Sequence, residues 1–157
     1  MKRVYASLVR LIFWFTWPLA GLVLHNSNRV RVYVVADGKV LLQKTSYSSQ
    51  SWSLPGGGVE KNESAAMASQ RELKEETGLE LGLDKFLELG VSRVPVNGRS
   101  WPVMNVTFFL VELSDLQPTN IPRPLEIIGL KWFDLDSLPS NLSDTVKIAQ
   151  KLLTNTQ

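Results

Sequence analysis

Glu72, Glu75 and Glu76 stand at positions i, i+3 and i+4 of a stretch, Glu63 to Thr77, whose composition predicts a helix. On a helix that spacing puts all three carboxylates on one face, where like charges repel. No lysine lies on the same stripe to relieve them. Immediately before the helix run three glycines, Gly56, Gly57 and Gly58, whose backbone can approach a ligand closely. Oxygen donors concentrated beside such a loop suit a hard divalent cation, Mg²⁺ or Mn²⁺. Ala65, Ala68 and Ser69, earlier on that face, are small and are expected to leave room for a bulky ligand, while Ala66, Leu73 and Thr77 are expected to pack on a sheet. An ordinary solvated helix, supported by pairs such as Arg71–Glu75 at i, i+4, would account for the charges. It would not account for the glycines or for the clustering on one stripe.

Other chemistries are poorly supplied. The chain has no cysteine and one histidine, His25. Disulfides, thiolate metal sites and a cysteine nucleophile are therefore excluded, and histidine-based metal or triad chemistry has little to draw on. Seventeen Lys and Arg against 15 Asp and Glu give a net charge of +2, so no concentrated basic field argues for nucleic acid as a partner.

The segment Gly57–Leu79 resembles the signature of the Nudix hydrolase family, G-x5-E-x7-R-E-U-x-E-E-x-G-U with U a bulky aliphatic residue. Gly57, Glu63, Arg71, Glu72, Leu73, Glu75, Glu76, Gly78 and Leu79 fill every defined position. Seven fixed identities make chance agreement on the order of one in 10⁸ per starting position, so the signal is specific. The resemblance implies hydrolysis of a phosphoanhydride bond in a nucleoside diphosphate linked to another group. It further implies Mg²⁺, with Mn²⁺ as a substitute, held by Glu72, Glu75, Glu76 and the Gly57 carbonyl. Arg71 would pair with a carboxylate and hold its orientation, together with Glu63, although Glu63 could equally complement the helix dipole. Family members often recruit a further carboxylate as ligand or base. Glu126, ahead of the apolar run Ile127–Leu130, is the candidate beside Glu76, with a surface glutamate opening a strand as the plainer reading, and Glu60 is a weaker alternative.

The signature does not encode the substrate. Pro95, 16 residues beyond Leu79, resembles the spacing in members that cleave ADP-ribose. ADP-ribose or another nucleotide sugar, or a nucleoside triphosphate, are the expected small-molecule classes. Lys44, Arg93 and Arg99 could contact phosphates and Trp52 could stack on a base, and each also reads as ordinary surface or packing. A nucleotide-sensing module with the same fold and no turnover is the alternative function.

The elements that must position these groups begin after residue 25. Arg29–Ala36 alternates and is β-branched, Asp37-Gly38 is a tight-turn dipeptide, and Val40–Thr45 returns as the partner strand. After the helix, with Asn62 as its expected N-cap and Gly78 as its stop, strands are predicted at Phe86–Val94, Val103–Leu113 and Ile127–Phe133, and a last helix at Leu142–Leu153. This order predicts an α/β (α+β) fold, a Nudix-like α/β/α sandwich with a mixed sheet, over residues 26–157. Residues 1–25 are expected to form a separate apolar N-terminal helix. Leu11–Leu24 carries no charge, which is short for a span of about 20 residues. It could dock on its own domain, form a homodimer, contact a membrane surface, or be cleaved as a signal. The expected localisation is cytoplasmic, with membrane association through this segment as an option.

Overall fold

The computed structural model describes residues 25–47, 51–96 and 102–156. Strand β1 (Asn28–Ala36) and strand β2 (Lys39–Thr45) are antiparallel neighbours. Asp37 and Gly38 join them with φ of 45° and 69°, the two left-handed residues of a turn whose twist matches a hairpin. Strand β3 (Leu87–Pro95) pairs antiparallel with β4 (Val103–Leu113), and β4 runs parallel to β1 over the whole of β1. Strand β5 (Ile127–Asp134) pairs antiparallel with β2. The sheet is therefore mixed, in the order β3-β4-β1-β2-β5.

Period-2 alternation sends side chains to both faces. Val30, Val32, Val34, Leu41, Phe109 and Val111 pack with Ala68 and Leu73 of helix α1 (Ala65–Thr77). Tyr33, Val40, Leu42, Val106 and Phe108 pack with Val146 and Ala149 of helix α2 (Asp144–Thr156). The layers are thus helix, sheet, helix, as the sequence predicts. Burying each of these Val and Leu side chains contributes roughly 1.5–3 kcal/mol.

One departure from regular pairing positions the site. β1 and β2 meet only beside their turn, at Val35–Val40 and Ala36–Lys39. Further along they separate, and the segment 53–59 fills the gap. Gln43 and Ser53 exchange both backbone hydrogen bonds at 2.9 Å, Val32 N donates to Pro55 O at 2.9 Å, Val30 N to Gly57 O at 2.9 Å, and Val59 N to Asn28 O at 3.0 Å. The glycine loop therefore stands where a strand would otherwise lie, with both neighbours' backbone groups satisfied.

Several expectations need correction. The helix begins at Ala65, not Glu63, and its cap is Ser64, whose Oγ accepts from Met67 N at 3.2 Å. Asn62 takes φ of 67° in the preceding turn instead. Ala68 and Ser69 are fully buried: their small size lets α1 close on the sheet and does not leave room for a ligand. The expected N-terminal helix, and any dimer contact through it, falls on residues 1–24, outside the described residues. Membrane association is corrected for the described residues, the segment expected to provide it lying outside them. Among the described residues no helix is long and apolar enough to cross a membrane. Helices α1 and α2 have 13 residues each, about 20 Å at 1.5 Å per residue against a hydrocarbon core of about 30 Å.

Candidate active site

Helix α1 is held at both ends, by the Ser64 cap and by Gly78, which leaves the helix at φ of 77° with its N–H on Lys74 O. Between them it buries Ala68, Ser69, Glu72, Leu73, Glu76 and Thr77. Two of the three carboxylates thus lie on the side that faces the sheet and loop. Glu76 is 2% exposed. Its Oε2 accepts from Gly56 N at 2.6 Å and from Gln43 Nε2 at 2.8 Å. Burial pushes its carboxyl up to about 7, with Glu72 adding to the rise, while Gly56, Arg31 and Gln43 pull against it. Gln43 Oε1 is buried without a hydrogen-bond partner beside this carboxylate.

Glu72 lies against the loop itself, where a side chain at Gly57 would overlap its carboxylate. Gly56, at φ of 132°, packs so tightly on β1 that a side chain there would overlap the Val30 carbonyl. Both positions need glycine for close approach. The Gly57 carbonyl accepts from Val30 N, which leaves it a second lone pair.

Arg71 organises the outer side. Its Nε and Nη2 donate to Glu63 Oε1 and Oε2, each at 2.9 Å, and Nη2 also donates to Gly58 O at 3.0 Å. Nη1 reaches Glu72 Oε1 at 2.9 Å and Glu75 Oε2 at 3.2 Å. Arg71 and Glu63 form a two-pronged pair of the kind that fixes geometry. The guanidinium holds the Glu63 carboxyl below its ordinary value, and Glu63 raises that of Arg71. Glu63 precedes the helix and bonds Arg71, which favours the pairing reading over the dipole reading. Glu60 is exposed, 4.0 Å from Arg71.

Glu126 enters from the turn before β5. Ser46 N donates to its backbone carbonyl at 2.8 Å, and Tyr47 Oη donates to its Oε1 at 3.1 Å. Arg123, three residues earlier, joins this carboxylate to the helix. Its guanidinium pairs with Glu75 Oε2 and lies 3.6 Å from Glu126 Oε2 and 4.0 Å from Glu72 Oε2.

Among the predicted substrate contacts, Lys44 and Trp52 lie together, with Nζ 4.6 Å from the ring centroid. Trp52 also meets Phe133 edge-on at 4.6 Å. Arg93 is exposed on the edge strand β3, separated from the glycine loop by β4 and β1. Arg99 lies outside the described residues. Five residues of the site escaped the sequence reading: Arg29, Arg31, Gln43, Tyr47 and Arg123. Arg31 Nη1 donates to Val30 O at 2.9 Å and to Gly56 O. Burial lowers the Arg29 guanidinium, Arg31 adding to that and Tyr47, Glu72 and Glu76 opposing it. The signal for these two was legible, since two arginines at i, i+2 interrupt an otherwise apolar strand. Nothing local marked Gln43 or Arg123.

Among the described residues no three acidic or histidine side chains surround a common point closely enough to enclose an ion. Glu76 is turned to Gly56 and Gln43, while Glu72 and Glu75 are engaged by Arg71 and Arg123. The donor chemistry nonetheless fits a hard cation. The donors are all oxygens, Gln43 Oε1 is an orphaned buried acceptor, and a guanidinium is already drawn among the carboxylates.

The NUDIX domain family model matches residues 25–155. The chain is 32% identical over 129 residues to an ADP-ribose pyrophosphatase of Methanocaldococcus jannaschii, covering 81% of this chain and 73% of that protein. It is 40% identical over 67 residues to an RNA pyrophosphohydrolase of Sphingopyxis alaskensis, a match covering 42% of this chain and only 37% of that relative's length. Among solved structures, a MutT NUDIX hydrolase from Burkholderia pseudomallei superposes with a TM-score of 0.72 at 26% identity, covering 82% of this chain and 98% of that one.

Proposed function

Since the chain belongs to the NUDIX family, we propose that it hydrolyses a phosphoanhydride bond in a nucleoside diphosphate linked to another group. Glu72, Glu75, Glu76 and the Gly57 carbonyl would hold Mg²⁺, or Mn²⁺ in its place. The observation that carries this reading is the approach of Glu72 and Glu76 to a glycine loop wedged into the sheet, with Arg71 and Glu63 clamping the outer side where Glu75 stands. When bound, the divalent cation supplies charge neutralisation for the phosphate oxygens and Lewis acidity toward water. The chain's own residues do the rest. Arg71 fixes the carboxylates of Glu72 and Glu75, so little reorganisation is needed at the reacting centre. Glu126, oriented by Tyr47 and about one-third exposed, is the better-placed base, since it can reach a water attacking phosphorus. Glu76, sealed at 2% exposure and occupied by two donors, serves better as a ligand. Arg29 and Arg31 supply positive charge beside the loop for the diphosphate, with Lys44 and Trp52 as further contacts.

Substrate class is left between ADP-ribose or another nucleotide sugar and a nucleoside triphosphate, and the likeness to an RNA pyrophosphohydrolase adds RNA bearing a phosphoanhydride to the panel. The test is a panel of these compounds with Mg²⁺, with and without chelator, scored by chromatography of the products. Metal-dependent cleavage at a phosphoanhydride, lost in Glu72→Gln, is the expected result. Tight binding of a nucleotide with no cleavage of any compound would favour the sensing module instead.

A further inference from the structure

Arg123 sits at the meeting point of two parts of the site that are distant in sequence. Its guanidinium pairs with Glu75 Oε2 and lies within 4.0 Å of Glu72 Oε2 and 3.6 Å of Glu126 Oε2. It thus engages the same oxygens that would coordinate a divalent cation. Its backbone is tied down. Pro122 and Pro124 flank it, which restricts the chain on both sides. Its carbonyl accepts from Glu126 N at 3.1 Å and Ile127 N at 2.9 Å, and Glu126 O is bonded to Ser46 N. The side chain is the free part, 41% exposed on a long flexible stem. Arg71, which also pairs with Glu72 and Glu75, differs in being locked by Glu63 and the Gly58 carbonyl. The Arg123 guanidinium has no such outer clamp among the described residues: its ion-pair partners Glu72, Glu75 and Glu126 are all carboxylates of the site.

We propose that Arg123 is a built-in counter-cation that competes with the divalent ion for Glu72 and Glu75 and so sets the metal affinity of the site. This rests on reading those carboxylates as metal ligands. Arg71 and Arg123 already meet at Glu75 Oε2, and a divalent ion added there would repel both. Arg71 is locked by Glu63 and the Gly58 carbonyl, so it is the Arg123 guanidinium that swings outward about its own side-chain bonds. The fixed turn keeps it tethered for return. Because the pair is partly exposed, the competition is modest, and its removal should tighten metal binding about tenfold.

Calorimetric titration of the full chain with MnCl₂ tests this, using wild type, Arg123→Gln, Arg123→Lys and Glu75→Gln. Arg123→Gln should bind Mn²⁺ about tenfold more tightly, and Arg123→Lys, which keeps a charge, should return most of the way to wild type. In urea with chelator Arg123→Gln should unfold earlier than wild type, and saturating Mn²⁺ should erase that gap. A residue that merely braces the loop would leave the gap in place. Equal or weaker Mn²⁺ binding by Arg123→Gln, with binding weakened in Glu75→Gln, would overturn the proposal while leaving the metal site standing. No Mn²⁺ binding by wild type would overturn the metal reading and the proposal together. In wild type, the Arg123 Nε–Hε resonance, assigned by its loss in Arg123→Lys, should shift on saturation with Mg²⁺, and an unmoved resonance would refute displacement even if the Gln variant failed to fold.

Discussion

Replacing Glu76 by glutamine should stabilise the chelated protein at the expense of its chemistry. Glu76 is 2% exposed, and burial pushes its carboxyl up to about 7 from an ordinary value of 4.5. A folded-state value above the unfolded one means that the native state holds the proton longer. Between about pH 4.5 and 7 the native state therefore binds more protons than the unfolded chain, and this group's contribution falls as pH rises. That rise corresponds to about 3 kcal/mol lost by pH 8. Glutamine carries no charge to desolvate. Its amide oxygen can still accept from Gly56 N and Gln43 Nε2, and its NH₂ can be offered to the orphaned Gln43 Oε1. With chelator at pH 8 the variant should therefore melt higher than wild type, by about 6–12 °C for a domain of this size. The advantage should shrink toward pH 5. The assay is thermal unfolding of both proteins from pH 5 to 8, reading the difference between them so that other titrating groups cancel. Hydrolysis should meanwhile drop by two orders of magnitude or more, because a metal ligand has been neutralised. A glutamine variant that melts below wild type at pH 8, or a gap independent of pH, would refute the claim that a buried ionised carboxylate strains this fold.

Four further substitutions separate folding from function. Gly56→Ala forces a side chain onto the Val30 carbonyl at a φ of 132°, so urea unfolding should show a loss of about 3 kcal/mol. Gly57→Ala pushes on the Glu72 carboxylate, which Arg71 holds, so that side chain must shift: stability should fall by about 1 kcal/mol, less than for Gly56→Ala, while metal-dependent turnover collapses. Glu63→Gln weakens the paired hydrogen bonds on Arg71. Catalytic efficiency should fall tenfold to a hundredfold in steady-state kinetics, with about 1 kcal/mol of stability lost. Ser64→Ala removes the cap on Met67 N and serves as the control: about 1 kcal/mol of stability lost in urea, turnover unchanged.

The sequence carried its information locally, and it was legible to that extent. Asp37-Gly38 announced the turn that joins β1 and β2, the alternation in β1 announced a two-faced sheet, and the i, i+3, i+4 spacing put three carboxylates on one helix. Their burial was hidden. A charged stripe reads as solvent-facing, and only the insertion of segment 53–59 between β1 and β2 brings Gly56 N and Gln43 to Glu76. The cap was misplaced because Asn62 and Ser64 are both good caps, and the choice was settled by Glu63, which reaches Arg71 only if the chain is still unwound at its position. Arg123 was invisible for the simplest reason: its partners Glu72 and Glu75 lie 51 and 48 residues away, and no local pattern encodes such a meeting.

These observations bear on one another. A split between β1 and β2 would ordinarily weaken a sheet, since backbone groups lose their partners. Here the glycine loop restores those bonds and thereby seats Gly56 N and Gly57 against the carboxylates of α1. The consequence is a helix face whose negative charge is only partly compensated by Arg71 and Arg123, with Glu76 sealed from water. A cation that binds the folded chain and not the unfolded one adds stability in proportion to its occupancy. The instability stored at Glu76 and the affinity for a divalent ion are therefore two expressions of one electrostatic imbalance, and a substitution that relieves the first should weaken the second.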